Sequence, residues 1–149
     1  MTGEELNAVR NLQKQIRALE KNVHGLKMLA ENIVPILDGL PHSTDTKSRV
    51  ENIALKIVER EHELDNLREE YLHAKERLTN KILSELGEDP ILQTLLILYY
   101  VECLSFRETA RRMGYTLRHV FRLHENQMEV WHIKTWYRAK QLVWFNQTK

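Results

Sequence analysis

Apolar residues recur along the start of the chain at steps alternating between three and four: Val9, Leu12, Ile16, Leu19, Val23, Leu26, Ala30, Ile33 and Leu37. This is the a/d spacing of a heptad seam. It predicts one long helix over residues 4–34, with Pro35 expected to kink or end it. The polar stretch Asp38–Lys47, marked by Gly39 and Pro41, reads as a connection. A second heptad run follows at Val50, Ile53, Ile57, Arg60, Leu64, Leu67, Tyr71, Ala74 and Leu78, opened by Ser48 and Glu51 at capping-box spacing. Arg60 interrupts that seam, either as a register device or as a side chain that snorkels out of it. Two helices of similar length with a modest linker pair most simply as an antiparallel hairpin. Met28, Leu29, Ile36 and Tyr71 add apolar surface beyond a two-stranded seam. Self-association as a homodimer, or docking on the C-terminal part, would cover it.

The pattern changes at Gly87-Glu-Asp-Pro90, where Gly87 can end one helix, Asp89 cap the next and Pro90 fill its first turn. A strongly apolar helix is expected over Ile91–Cys103. After it, Ser105 and Glu108 form a capping box, Ala110 is small enough for a close helix crossing, and Met113 closes the apolar face. Gly114 stands where the chain leaves the helix and commonly needs a positive φ. Thr116 can cap the next helix, with Val120 and Leu123 facing inward. Thr116, Leu117, Arg118, Phe121 and Arg122 then point outward or sideways near that helix's start, as the N-terminal residues of a recognition helix do. An αα-hairpin of purely structural purpose would share several of these features. Helical periodicity continues through Met128, Trp131, Ile133, Trp136, Tyr137, Leu142, Trp144 and Phe145 without Gly or Pro, so the helix either runs on or breaks and resumes. The aromatics there, interleaved with Lys134, Arg138 and Lys140, are read as core or interface packing before single-strand stacking. The expected fold is all-α: a long antiparallel, coiled-coil-like helical hairpin over residues 1–86, then a helix-turn-helix domain over residues 90–149.

Charge sharpens this division. The net charge of +1 over 149 residues divides into −5 for residues 1–103 (13 Lys/Arg against 18 Asp/Glu) and +6 for residues 104–149 (9 against 3). A basic back half suits a polyanionic partner. The single Cys103 offers neither a disulfide nor a cysteine metal site, and a buried, inert thiol is expected. No signal-peptide pattern opens the chain, and the apolar patch Ile91–Val101 is too short for a bilayer. A cytoplasmic protein with no membrane partner is expected.

Catalytic and metal-binding patterns do not emerge. The histidines at 24, 42, 62, 73, 119, 124 and 132 lack ligand spacing, and His62-Glu63 has no second His where a zincin helix needs one. Glu59, Glu61, Glu63, Glu69 and Glu70 read as a solvated helix face. No P-loop, dinucleotide fingerprint or nucleophile elbow is found. The expectation is no enzyme, no catalytic residue, no metal and no cofactor.

Residues 95–128, and above all Leu98-Tyr-Tyr-Val-Glu-Cys-Leu-Ser-Phe-Arg-Glu-Thr-Ala-Arg-Arg-Met-Gly-Tyr-Thr-Leu-Arg-His-Val120, resemble region 4 of bacterial sigma factors, which reads promoter −35 elements. Hairpin first and reader last, the chain looks like the phage and prophage transcriptional regulators of the RinA/ArpU type, associated with late-gene control. The resemblance implies a bacterial host cell, a supporting helix at Phe106–Met113 and a recognition helix at Leu117–Met128 in the DNA major groove. By it, Thr116, Leu117, Arg118, Phe121 and Arg122 read bases, while Arg107, Arg111, Arg112 and His119 hold phosphate. RNA polymerase is a candidate second partner for the acidic hairpin. Two positions depart from the pattern: Thr109 replaces the usual Ile or Val, and Phe121 replaces a polar residue. Phe121 would either touch a thymine methyl or pack against the C-terminal aromatic segment. Two other readings fit the same architecture: a small terminase subunit that recognises DNA for packaging, and a protein–protein adaptor that binds polymerase without reading DNA.

Overall fold

In the computed structural model, which describes residues 1–37 and 44–134 (only the backbone of 34–37 and 44–47), both heptad runs are helical. The first is α1 (Gly3–Leu37) and the second α2 (Thr44–Leu86). Helix α1 passes Pro35 and reaches Leu37. Helix α2 starts before Ser48, which therefore lies inside the helix, and the expected Ser48–Glu51 capping box does not open it. The reason is visible in the chain: no Gly or Pro occurs from His42 to Leu86 to stop the helix from extending backward.

Contacts divide the chain into two units, Asn11–His73 and Met1–Arg10 with the residues from Ala74 onward. Within Asn11–His73 the two helices run antiparallel, as the ion pairs Glu20–Arg68 at 3.2 Å and Lys27–Glu61 at 2.6 Å require. Ile16, Val23 and Leu64 are buried on their seam, with Leu12, Leu19, Leu26, Ile53, Ile57 and Leu67 half-buried. Arg60 does not sit on the seam. Its side chain is exposed and pairs with Glu63 at 2.9 Å, while half-buried Glu61 takes the adjacent position opposite Lys27. Stepping four from Ile57 to Glu61 and three to Leu64 preserves the stripe and leaves the guanidinium in water, where it is cheapest.

The other unit packs the first turns of α1 against the last turns of α2. Leu6, Val9, Ala74, Leu78 and Ile82 are buried there, each large aliphatic contributing ~2 kcal/mol over its exposed state. Lys81 ion-pairs with Glu5 and holds that carboxyl down at about 2. Gly87, at φ +47°, ends α2, and Asp89 caps α3 (Pro90–Leu96) by accepting the Leu92 N–H at 3.1 Å. The boundary expected at Gly87–Pro90 is thus a turn inside this unit. Two further helices follow, α4 (Phe106–Met113) and α5 (Leu117–Val130).

The apolar helix expected over Ile91–Cys103 is not a single α-helix. After α3 the chain widens into a π-turn over Ile97–Val101, and Cys103 then takes a left-handed φ of +57°. In an α-helix, positions five apart diverge by about 140° around the axis. A π-turn, with its i→i+5 bonds, closes that angle. Leu95 and Tyr100, and likewise Leu96 and Val101, can then all be buried, as they are. Cys103 is half-buried rather than buried, its Sγ 3.6 Å from the Tyr100 carbonyl. Helix α5 ends at Val130, and His132 follows at φ +56°. The aromatic segment from Trp136 onward lies outside the described residues. Those residues contain no strand, and none of their helices is long and apolar enough to cross a membrane.

Candidate nucleic-acid interface

Helices α4 and α5 are held by the three local devices legible in the sequence. Ser105 Oγ accepts the Glu108 N–H at 3.1 Å. Gly114 adopts φ +71°, and the Tyr115 N–H returns to the Ala110 carbonyl at 3.0 Å, which closes the C-terminus of α4. Thr116 Oγ1 accepts the His119 N–H at 3.2 Å and opens α5. Beneath them Thr109, Ala110, Val120, His124, Gln127 and Met128 are buried.

Thr116, Leu117, Arg118 and Arg122 share the exposed first turns of α5. Arg118 carries no ion pair among the described residues. Arg122 Nη2 donates to His119 Nδ1 at 3.0 Å, and the half-buried His119 ring meets Tyr115 edge-on at 5.0 Å. Phe121 is not with them: half-buried, its ring lies 4.6 Å from that of Phe106. Neither expectation for Phe121 anticipated that neighbour. Arg107 and Arg111, four apart on α4, are exposed, as is Arg112. The Glu108 carboxylate bonds Arg111 at 2.7 Å and pairs with Arg112 at 3.5 Å, and Arg111 above all holds its carboxyl below the ordinary range.

Behind this surface lies a stack of rings. Tyr99 stacks on Phe106 with centroids 3.9 Å apart and planes 18° apart, and Phe106 in turn meets Phe121 and, edge-on at 5.0 Å, His124. Arg10 of α1 caps the stack, its guanidinium carbon 4.0 Å from the Tyr99 ring centroid. Its Nε and Nη2 donate to the Tyr99 carbonyl at 3.1 and 2.9 Å, and Nη2 also donates to the Leu104 carbonyl at 2.6 Å. His124 Nε2 is 2.8 Å from the Tyr100 hydroxyl, which also lies 3.8 Å from Met128 Sδ. Burial, with a smaller contribution from the Arg10 charge, pushes the His124 imidazole down to about 4. Thr109 Oγ1 is fully buried and finds no hydrogen-bond partner among the described residues.

Comparison of the chain with protein-family models, curated proteins and solved structures found no match. Nothing is inherited.

Sequence reasoning missed Arg10, Tyr99, Phe106 and His124. Arg10 bonds residues 89 and 94 positions away, a separation at which periodicity carries no signal. No three His, Cys, Asp or Glu side chains among the described residues gather closely enough to hold a metal ion.

Proposed function

We propose that the chain is a sequence-specific double-stranded DNA-binding transcriptional regulator of phage type, acting without catalysis and with α5 laid in the major groove. The observation that carries this reading is the turn at Gly114. It joins two capped helices so that the exposed first turns of the second present Arg118 and Arg122. In this reading Arg118 and Arg122 each take a guanine through O6 and N7, worth ~1–3 kcal/mol of discrimination apiece. Thr116 and Leu117 face neighbouring bases. Arg107, Arg111 and Arg112 neutralise phosphates, His119 contacts one, and the positive end of α5 adds to the field the arginines make. Phosphate reaching Arg111 and Arg112 competes with Glu108. Phe121, packed on Phe106, positions α5 rather than reading a base. Two copies acting as a homodimer would read a symmetric site, and the acidic helices would be free to meet RNA polymerase.

Substituting Arg118 or Arg122 by Ala tests the assignment. Each variant should lose preference for its selected duplex over unrelated DNA by about 5- to 150-fold, the equivalent of one bidentate base contact, with helicity unchanged. Native affinity and preference in both variants would refute it.

A further inference from the structure

Resting on that reading, we infer that Arg10 is a positioning residue for DNA recognition. From the first helix of the chain it fixes the π-turn, and through it the ring stack that sets the base-reading face of α5.

The backbone around the π-turn explains why an arginine is needed. The Glu102 N–H takes the Ile97 carbonyl at 2.9 Å and the Leu104 N–H takes the Leu98 carbonyl at 3.1 Å. Beside the left-handed Cys103, the next carbonyl, that of Tyr99, is part-buried and accepts from Arg10. Part-buried carbonyls without donors are costly. Arg10 supplies the donors for Tyr99 and Leu104 together, from a planar fork that lysine cannot reproduce. The same guanidinium lies over the Tyr99 ring, so one side chain fixes both the backbone and the ring of that residue.

From Tyr99 the order passes by contact. Tyr99 lies flat on Phe106, the first residue of α4, and Phe106 meets Phe121 in the second turn of α5. Phe121 immediately precedes Arg122 and follows Arg118 by three positions, about one helical turn. A shift of its ring turns both arginines. A reading group displaced by ~1 Å loses much of its effect, whereas phosphate contacts made by long, exposed side chains tolerate such a shift. Loss of Arg10 should therefore lower sequence preference more than non-specific affinity.

The experiment compares the full chain with Arg10→Met, which keeps an aliphatic stem without donors or charge, and Arg10→Lys, which keeps the charge without the fork. Affinity is measured by fluorescence anisotropy on the wild-type chain's selected duplex and on an unrelated duplex. Arg10→Met should lose roughly tenfold or more on the selected duplex and much less on the unrelated one. Arg10→Lys should fall between. Tyr99→Leu, which leaves Arg10 its carbonyls but removes the ring, should reproduce the loss of preference. This second variant decides the matter if Arg10→Met fails to hold the wild-type far-UV circular dichroism. Unchanged preference in Arg10→Lys and Tyr99→Leu together would overturn the inference.

A readout without DNA separates its failure from that of the proposed function. Amide hydrogen exchange over residues 117–124 should speed up roughly tenfold in Arg10→Lys. A wild-type chain that binds no duplex would remove the DNA-binding reading and the role in recognition with it. Unchanged exchange would remove the ring relay itself.

Discussion

Acidification should destabilise this protein through one histidine. His124 of α5 is 1 % exposed, held against the Tyr100 hydroxyl of the π-turn and the rings of Tyr99 and Phe106, with the Arg10 guanidinium of α1 acting on it as a like charge. Burial and the cationic neighbour both disfavour the imidazolium, so the folded value is about 4 against 6.5 for a free imidazole. The unfolded chain therefore takes up the proton first. Stability is full above pH 6.5 and is lost progressively as pH falls toward 4, below which this contribution no longer changes. At 1.36 kcal/mol per pH unit, the drop amounts to ~3 kcal/mol, a large part of the ~5–15 kcal/mol that holds a typical domain folded. Urea unfolding followed by circular dichroism at intervals from pH 7.5 to 4 measures it. His124→Gln, which keeps a polar group beside the Tyr100 hydroxyl but does not titrate, is the control. It should be less stable than the wild-type chain at pH 7.5 and should lose much less between pH 6.5 and 4.5. Glu5 and Glu108, whose carboxyls are held low by Lys81 and Arg111, add their own loss as pH falls below the ordinary carboxylate range, in both proteins alike. Parallel pH profiles for wild type and His124→Gln above pH 4.5 would refute the reasoning.

Substitutions at two further positions probe the core and the turn. Thr109→Val removes the buried hydroxyl that lacks a partner and keeps the branched shape, so it should stabilise the protein by ~1 kcal/mol in urea unfolding. A destabilised variant would mean that the hydroxyl is satisfied. Gly114→Ala places a Cβ in open space at φ +71°, so its whole cost is conformational, ~1 kcal/mol, and Gly114→Asn should cost less. Equal stability of the two variants would contradict the left-handed turn.

Much of the fold was legible because it is encoded locally. Heptad steps gave α1 and α2, and the caps at Ser105 and Thr116 and the reversal at Gly114 need only neighbouring residues. The α2 start differs from the expectation because Ser48 and Glu51 have the spacing of a cap, yet no Gly or Pro stands between His42 and Ser48 to break a helix. A strict heptad puts Arg60 on the seam because it counts positions, whereas the ion pair of Glu61 with Lys27 across the seam moves the stripe by one residue. The π-turn was unreadable for a different reason. Ile97 to Val101 contains no Gly or Pro, and the widening answers a tertiary demand to bury both Leu95 and Tyr100. The exposed arginines of the candidate site were found from their place after a turn. The residues beneath them, Arg10, Tyr99 and His124, were not, because their contacts join distant parts of the chain.

The account is tested most directly by selecting bound duplexes from a random DNA library with the full chain, then titrating salt on the winning sequence. It predicts an enriched motif whose affinity falls steeply as salt rises, as phosphate neutralisation requires, with two-fold symmetry in the motif if the chain acts as a homodimer. Retention without enrichment, or no retention at low salt, would contradict it.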